Sequence, residues 1–153
     1  MITSSFVCDL LICAVLYKWT VHSKSWRLPM ALTGIYLMKV LITNLFFMKV
    51  PHQSAWTFPG WYSLSVQYGL SNTTHFCLHV ALLIVSMCEF RSMKSRLYFI
   101  GYPALIYASI IIIILRGCYV SDLVAAVAFG IWFWYFAELS CYIVDVKVFG
   151  LLF

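Results

Sequence analysis

Polar and ionisable residues crowd a short stretch between two very apolar segments, in the sequence LRGCYVSDLVAAVAFG at positions 115–130. Arg116, Cys118, Tyr119 and Asp122 lie there, although charge beside apolar segments of this kind is costly. A cysteine acts as a nucleophile in its thiolate form, and the positive charge of Arg116 would favour that form. The stretch is therefore the first candidate for a functional site.

The composition identifies the kind of protein that carries this stretch. The chain has 153 residues, of which 64% are hydrophobic and 10% charged, whereas soluble domains carry about 25% charged residues. We therefore predict a single-domain integral membrane protein with no nucleic-acid partner. None of its six cysteines forms a Cys-x-x-Cys pair, so we expect no disulfide framework, metal site or cofactor.

Five apolar stretches are each near the roughly 20 residues that a bilayer-spanning helix needs. They predict an all-α membrane bundle of about five transmembrane helices, at positions 4–20, 28–48, 73–90, 97–115 and 120–144.

Lysine and arginine residues alternate between the two ends of these predicted spans. Three follow the first span and three follow the third, whereas two lie at the opposite face. The basic side carries Lys18, Lys24, Arg27, Arg91, Lys94 and Arg96, and the other side carries Lys49 and Arg116. By the positive-inside rule, the N-terminus lies on the non-basic face and the C-terminus on the basic face. The membrane is expected to be the mitochondrial inner membrane or an endomembrane.

This topology brings distant residues to one membrane depth. His75 is expected to open the third span, Arg116 to close the fourth and Asp122 to open the fifth. All three then lie at the non-basic face.

The segments Thr73-Thr74-His75-Phe76 and Cys118-Tyr119-Val120-Ser121-Asp122 resemble the phosphatidic acid phosphatase superfamily, nearest its sphingomyelin synthase branch. In that branch a Ser-Gly-His-Thr motif opens one helix, and a His-Tyr-Thr-x-Asp motif opens a helix two spans later. The resemblance covers about residues 70–140. It departs from the family where Thr73-Thr74 replaces Ser-Gly and where Cys118 replaces the first histidine of the second motif.

The resemblance implies a role for each matched residue. Asp122 would orient the nucleophile, His75 would protonate the leaving alcohol, and Cys118 stands where the family has its nucleophilic histidine. If the site is active, its catalytic residues are His75, Cys118 and Asp122. If activity is lost, His75, Arg116, Tyr119 and Asp122 are expected to bind a phospholipid headgroup.

Two functions follow from these observations. The first is a catalytically degenerate lipid-phosphatase-like protein, acting as a structural, lipid-binding accessory subunit of a larger membrane complex, for example a respiratory complex. Its partners would be membrane phospholipid and other membrane subunits. The alternative is an active lipid phosphatase or phospholipid headgroup transferase.

Other polar residues inside the spans allow more than one interpretation. Asp9 and Lys39 are predicted to form an intramembrane ion pair between the first two spans, or else part of a proton path. His75 and His79 have the spacing of a metal pair, but Cys77 is expected to point to the opposite side. Glu138 lies toward the basic face and could meet a partner subunit.

The fifth span combines small residues with a run of aromatic residues. Asp122, Ala126 and Gly130 recur every four residues, which predicts a close approach to a neighbouring helix. Five aromatic residues follow at positions 132–136, and they cannot all face the protein interior.

Overall fold

A computed structural model describes residues 2–22, 25–45, 76–115 and 118–149. Within these ranges the chain forms five α-helices and no strand, followed by a short π-helical segment at Asp145–Phe149. The helices are α1 (Ile2–His22), α2 (Arg27–Leu45), α3 (Leu78–Ser92), α4 (Tyr98–Ile114) and α5 (Val120–Val144). The predicted all-α membrane bundle is confirmed at this level.

Three of these helices are long and apolar enough to cross a membrane. They correspond to Ser5–His22, Arg27–Leu45 and Val120–Lys147. The fourth helix, Tyr98–Ile114, is also apolar but has 17 residues. The third, α3, has only 15 residues, fewer than the roughly 20 that span a hydrocarbon core.

Helix α3 is the central element of the bundle. Twelve of its 15 residues are buried, and it packs against each of the other four helices. A helix that is apolar on all sides is typical of a buried position. Around it, α1 packs mainly on α3 and α4, and α2 packs mainly on α5 and α3.

The start of α3 differs from the predicted span. Phe76 and Cys77 are not helical, and the first helical residue is Leu78, not residue 73. Cys77 has backbone angles φ −81° and ψ 83°, and no side chain caps the helix here. His75, which was predicted to open this span, lies outside the described residues.

Helix α5 approaches α3 through small side chains, as the sequence predicted. Asp122, Ala126 and Gly130 are buried on its inner face. A Cβ atom added at Gly130 would lie 3.1 Å from Ile84 Cγ2 and 3.3 Å from the Ala81 carbonyl oxygen. Glycine therefore allows the two helices to pack this closely.

The aromatic run of α5 divides between the interior and the surface. Trp134 is buried, whereas Trp132, Tyr135 and Phe136 are exposed. The expectation that these side chains cannot all face inward is confirmed.

Basic residues of α1 and of the turn after α3 lie at one end of the bundle. Lys18 Nζ donates a 2.6 Å hydrogen bond to Ser95 Oγ, which joins the end of α1 to the turn between α3 and α4. Lys94, in the same turn, adopts a left-handed φ of 50°. Non-glycine residues take this conformation mainly in tight turns.

Candidate functional site

The first turn of α5 and the start of α3 meet at one end of the bundle. Cys118 Sγ donates a hydrogen bond to Cys77 Sγ over 3.4 Å. Cys77 is buried and Cys118 is partly buried. We call this meeting point the seam, defined by Cys77, His79, Cys118, Tyr119 and Asp122.

Asp122 serves as a capping residue for α5. Its Oδ2 accepts a 3.1 Å hydrogen bond from the Tyr119 backbone N–H, and its Oδ1 accepts one of 3.3 Å from the Ser121 hydroxyl. A carboxylate in the first turn of a helix also interacts favourably with the helix dipole. Asp122 is only 2% exposed, so these contacts account for part of the stabilisation of its buried carboxyl group.

His79 completes the seam from the α3 side. Its ring nitrogens lie 3.7 and 3.8 Å from Cys77 Sγ. The expectation that Cys77 points away from His79 is wrong. It assumed helical spacing, but Cys77 precedes the first residue of α3.

The lysine of α2, Lys39, lies in the neighbourhood of the seam. It lies close enough to His79, Cys77 and Cys118 for electrostatic interaction. The sequence placed Lys39 near the middle of a span and gave no sign of this neighbourhood. Its predicted pairing with Asp9 stays a prediction, and both side chains are partly buried.

The remaining predicted site residues divide into two groups. His75 and Arg116 lie outside the described residues, so their placement relative to the seam stays a prediction. Tyr119 is the N-cap residue of α5 and is 41% exposed. Its side chain is therefore accessible from outside the bundle.

A second polar cluster, which the sequence analysis missed, lies at the basic end. Arg27 Nε and Nη2 donate hydrogen bonds of 2.9 and 2.8 Å to the two carboxylate oxygens of Glu89. The Glu89 side chain is 0% exposed and that of Arg27 is 15% exposed. This two-point geometry is the strong form of an arginine–carboxylate contact.

Helix α5 adds two further partners to this ion pair. Trp134 Nε1 donates a 3.2 Å hydrogen bond to Glu89 Oε2. The Arg27 guanidinium also lies over the Trp134 ring, 5.4 Å from its centroid. Glu138 is more peripheral, with Oε1 3.9 Å from Arg27 Nη1.

The sequence did carry a signal for this cluster. Glu89 is an acidic residue within a predicted apolar span, and an ionised group at that depth needs a partner. Arg27, which directly precedes the second predicted span, lies at the same end of the bundle. The two residues are 62 positions apart, so only the topology relates them.

The seam and the basic cluster have different chemical capacities. Activation of a nucleophile requires an adjacent base or a stabilised anion. In the described part of the chain, the hydrogen-bond partner of Cys118 is a second thiol, which is a weak acceptor. In the second polar cluster, Arg27 of α2 and Glu89 of α3 neutralise each other, and Trp134 joins them to α5. No protein-family model, curated protein or solved structure matches this chain.

Proposed function

We propose that this chain is a catalytically degenerate relative of the lipid phosphatases. It serves as a structural, lipid-binding accessory subunit of a larger membrane complex. A respiratory complex of the mitochondrial inner membrane is one such assembly, and an endomembrane complex is another. The partners are membrane phospholipid and neighbouring membrane subunits.

The contact between Cys118 and Cys77 carries this proposal. The resemblance to the phosphatidic acid phosphatase superfamily puts a nucleophilic histidine at position 118, but the residue is cysteine. Its Sγ donates to Cys77 Sγ over 3.4 Å. A thiol partner does not accept the proton that a nucleophile must lose, so the contact supports packing and not catalysis.

The surroundings of Asp122 give further support. The carboxylate that would orient the nucleophile instead accepts hydrogen bonds from Tyr119 and Ser121 in its own helix turn. An aspartate in this arrangement stabilises the helix start, which is a structural role.

The surface of α5 supports a place within a larger assembly. Trp132, Phe136, Leu139 and Tyr142 are all more than half exposed, and Trp132 stacks on Phe136 with ring centroids 5.7 Å apart. Large aromatic side chains are enriched in the centre of protein interfaces. We assign this surface to contact with partner subunits and lipid.

The proposed topology has five crossings, with the N-terminus on the non-basic face and the C-terminus on the basic face. The hydrogen bond between Lys18 and Ser95 supports it, because the two basic segments then share one side. The headgroup site at the seam, which the resemblance assigns to His75, Arg116, Tyr119 and Asp122, would then lie in the opposite leaflet.

Two substitutions of Asp122 separate the structural role from the catalytic one. Asparagine still accepts a hydrogen bond from the Tyr119 N–H, whereas alanine cannot, and loss of a capping acceptor costs about 0.5–2 kcal/mol. We expect Asp122→Asn to behave as the parent chain and Asp122→Ala to enter the complex less efficiently. If Asp122 instead acted by orienting a nucleophile, both variants would lose the carboxylate and with it this role.

The measurement is purification of each variant from the native membrane in a gentle detergent, with mass spectrometry of the proteins that come with it. We expect the parent chain in fixed stoichiometry with a large complex. Phosphate release from phosphatidic acid is measured on the same samples, with Cys118→Ser as the control. Release that depends on Cys118, from a chain that purifies alone, would establish the alternative of an active lipid phosphatase or headgroup transferase.

A further inference from the structure

A cavity of about 580 Å³ opens between α3, α4 and α5, away from the seam. It reaches from Ile84, in the middle of α3, to Arg91 and Ser92 at the end of that helix. Seven residues separate Ile84 from Arg91, which corresponds to about 10 Å along the helix axis. The cavity therefore runs from the bundle centre to the basic end.

The character of the cavity wall changes along this length. Ile84, Met87, Leu105 and Ile131 form its inner part. The outer part carries polar groups that lie near the ends of the helices, namely Arg91, Ser92, Tyr98 and Glu138. An apolar interior with a polar mouth at the membrane surface matches an amphiphile that enters from the lipid.

The charge at the mouth is balanced. Arg91 is exposed, and in the described part of the chain no carboxylate forms an ion pair with it. The Glu138 side chain is 44% exposed and lies 3.9 Å from Arg27. Since Arg27 and Glu89 neutralise each other, the mouth presents one cation and one anion.

We propose that this cavity binds a phospholipid with a primary ammonium headgroup, from the leaflet on the basic side. Its phosphate pairs with the Arg91 guanidinium, which binds phosphate with directed hydrogen bonds. Its ammonium donates to the Glu138 carboxylate, and one acyl chain enters the apolar part beside Leu105. An anionic headgroup would leave Glu138 facing like charge, and a neutral lipid would leave both charges unused.

This site is independent of the function proposed above. The seam lies at the other end of α3 and α5, and none of its residues lines the cavity. A chain that proves to be an active enzyme could carry the same lipid.

Native mass spectrometry of the full chain in detergent tests the proposal. Phosphatidylethanolamine is the probe, and phosphatidylglycerol and diacylglycerol with the same acyl chains are the comparisons. We expect one retained phosphatidylethanolamine, bound at least about tenfold more tightly than either comparison, since one charge-assisted hydrogen bond accounts for such a ratio.

Neighbouring positions on α4 provide a matched pair for the apolar part. Leu105→Trp fills the cavity, and we expect it to abolish the retained lipid. Ile106→Trp adds the same bulk at an exposed position outside the cavity, and we expect it to bind as the parent chain does.

The charged positions provide a second test that does not depend on the core. Arg91→Gln should weaken phosphatidylethanolamine binding by about tenfold, whereas Arg96→Gln, exposed and outside the cavity, should not. Glu138→Gln should remove the preference for phosphatidylethanolamine over phosphatidylglycerol. Circular dichroism of each variant checks that the helices are retained.

Four results would overturn the proposal. Equal binding of phosphatidylglycerol would show that the ammonium is not recognised, and equal binding of diacylglycerol would exclude any headgroup contact. Lipid retained in a helical Leu105→Trp variant would place it elsewhere on the bundle. If Leu105→Trp fails to fold, the charge variants decide instead. Unchanged lipid binding in both Arg91→Gln and Glu138→Gln would then overturn the proposal.

Discussion

The buried contact between Arg27 and Glu89 involves opposing energetic effects. Removing both charges from water is costly, and their mutual attraction compensates only when the geometry is good and the other polar atoms are satisfied. Here Arg27 makes two hydrogen bonds to the Glu89 carboxylate, and Trp134 supplies a third. The pair therefore depends strongly on each partner being present.

Removing one partner of this pair should destabilise the protein much more than removing both partners. We expect Glu89→Met to lower the free energy of unfolding by about 3–5 kcal/mol, because Arg27 would be buried without its counter-charge. The double variant Arg27→Met/Glu89→Met should recover most of this loss. Thermal unfolding of the three proteins in one detergent is the measurement.

Glu138→Gln is the control for a peripheral charge in the same cluster. Its carboxylate is 3.9 Å from Arg27 and partly exposed, so we expect a loss below about 1 kcal/mol. If Arg27→Met/Glu89→Met is as unstable as Glu89→Met alone, the explanation is contradicted, because the missing counter-charge would then not be the cause of the instability.

The seam and the ion pair between Arg27 and Glu89 show which associations between single residues could be predicted from the sequence. Cys118, Tyr119 and Asp122 were found because they stand together in a short polar stretch. Cys77 and Lys39 were not associated with them, because their proximity arises from the packing of α2, α3 and α5. Glu89 and Arg27 were missed for the same reason, although an isolated acid in an apolar stretch predicts a partner.

At the scale of helices, the lengths of the apolar stretches predicted which segments are helical more reliably than where each helix begins and ends. The five described helices overlap the five predicted stretches, because apolar composition persists along each of them. Helix α3 begins at Leu78, inside the predicted span 73–90, since composition does not change where the backbone leaves the helix at Cys77. The central position of α3 was also not predicted, because its apolar residues do not show which neighbours cover them.

The packing of α5 on α3 depends on Gly130. We expect Gly130→Val to destabilise the protein by about 1–3 kcal/mol, because its Cβ atom would already be in tight contact with Ile84 and the Ala81 carbonyl oxygen and its methyl groups need further room. Ala128→Val introduces the same side chain at an exposed position of α5 and should have little effect. Thermal unfolding in detergent compares the two.

A compensating substitution tests the cause of this effect. Ile84→Ala removes the nearest side-chain atoms, so Gly130→Val should be less destabilising in that background than in the parent chain. An equal loss in both backgrounds would assign the effect to the helix backbone and not to the contact with α3.

At the scale of the whole molecule, polarity is concentrated at the ends of the bundle. Exposed large hydrophobic side chains cover the outer faces of α1, α2, α4 and α5, as expected for helices surrounded by lipid or other subunits. Basic side chains gather at the end that contains Lys18, Ser95 and Arg96. This separation makes the side of the membrane that each end faces a property that can be measured.

Two engineered cysteines test the proposed topology in sealed membrane vesicles. Lys94 lies in the exposed turn between α3 and α4, and Ser121 is exposed at the start of α5. A membrane-impermeant maleimide applied to the basic side should add label to Lys94→Cys beyond that of the parent chain, and none to Ser121→Cys. The opposite vesicle orientation should reverse the result, because α4 lies between the two positions and crosses the membrane in the proposed topology. Labelling of both from one side would contradict the five-crossing topology and would mean that α4, with its 17 residues, does not cross.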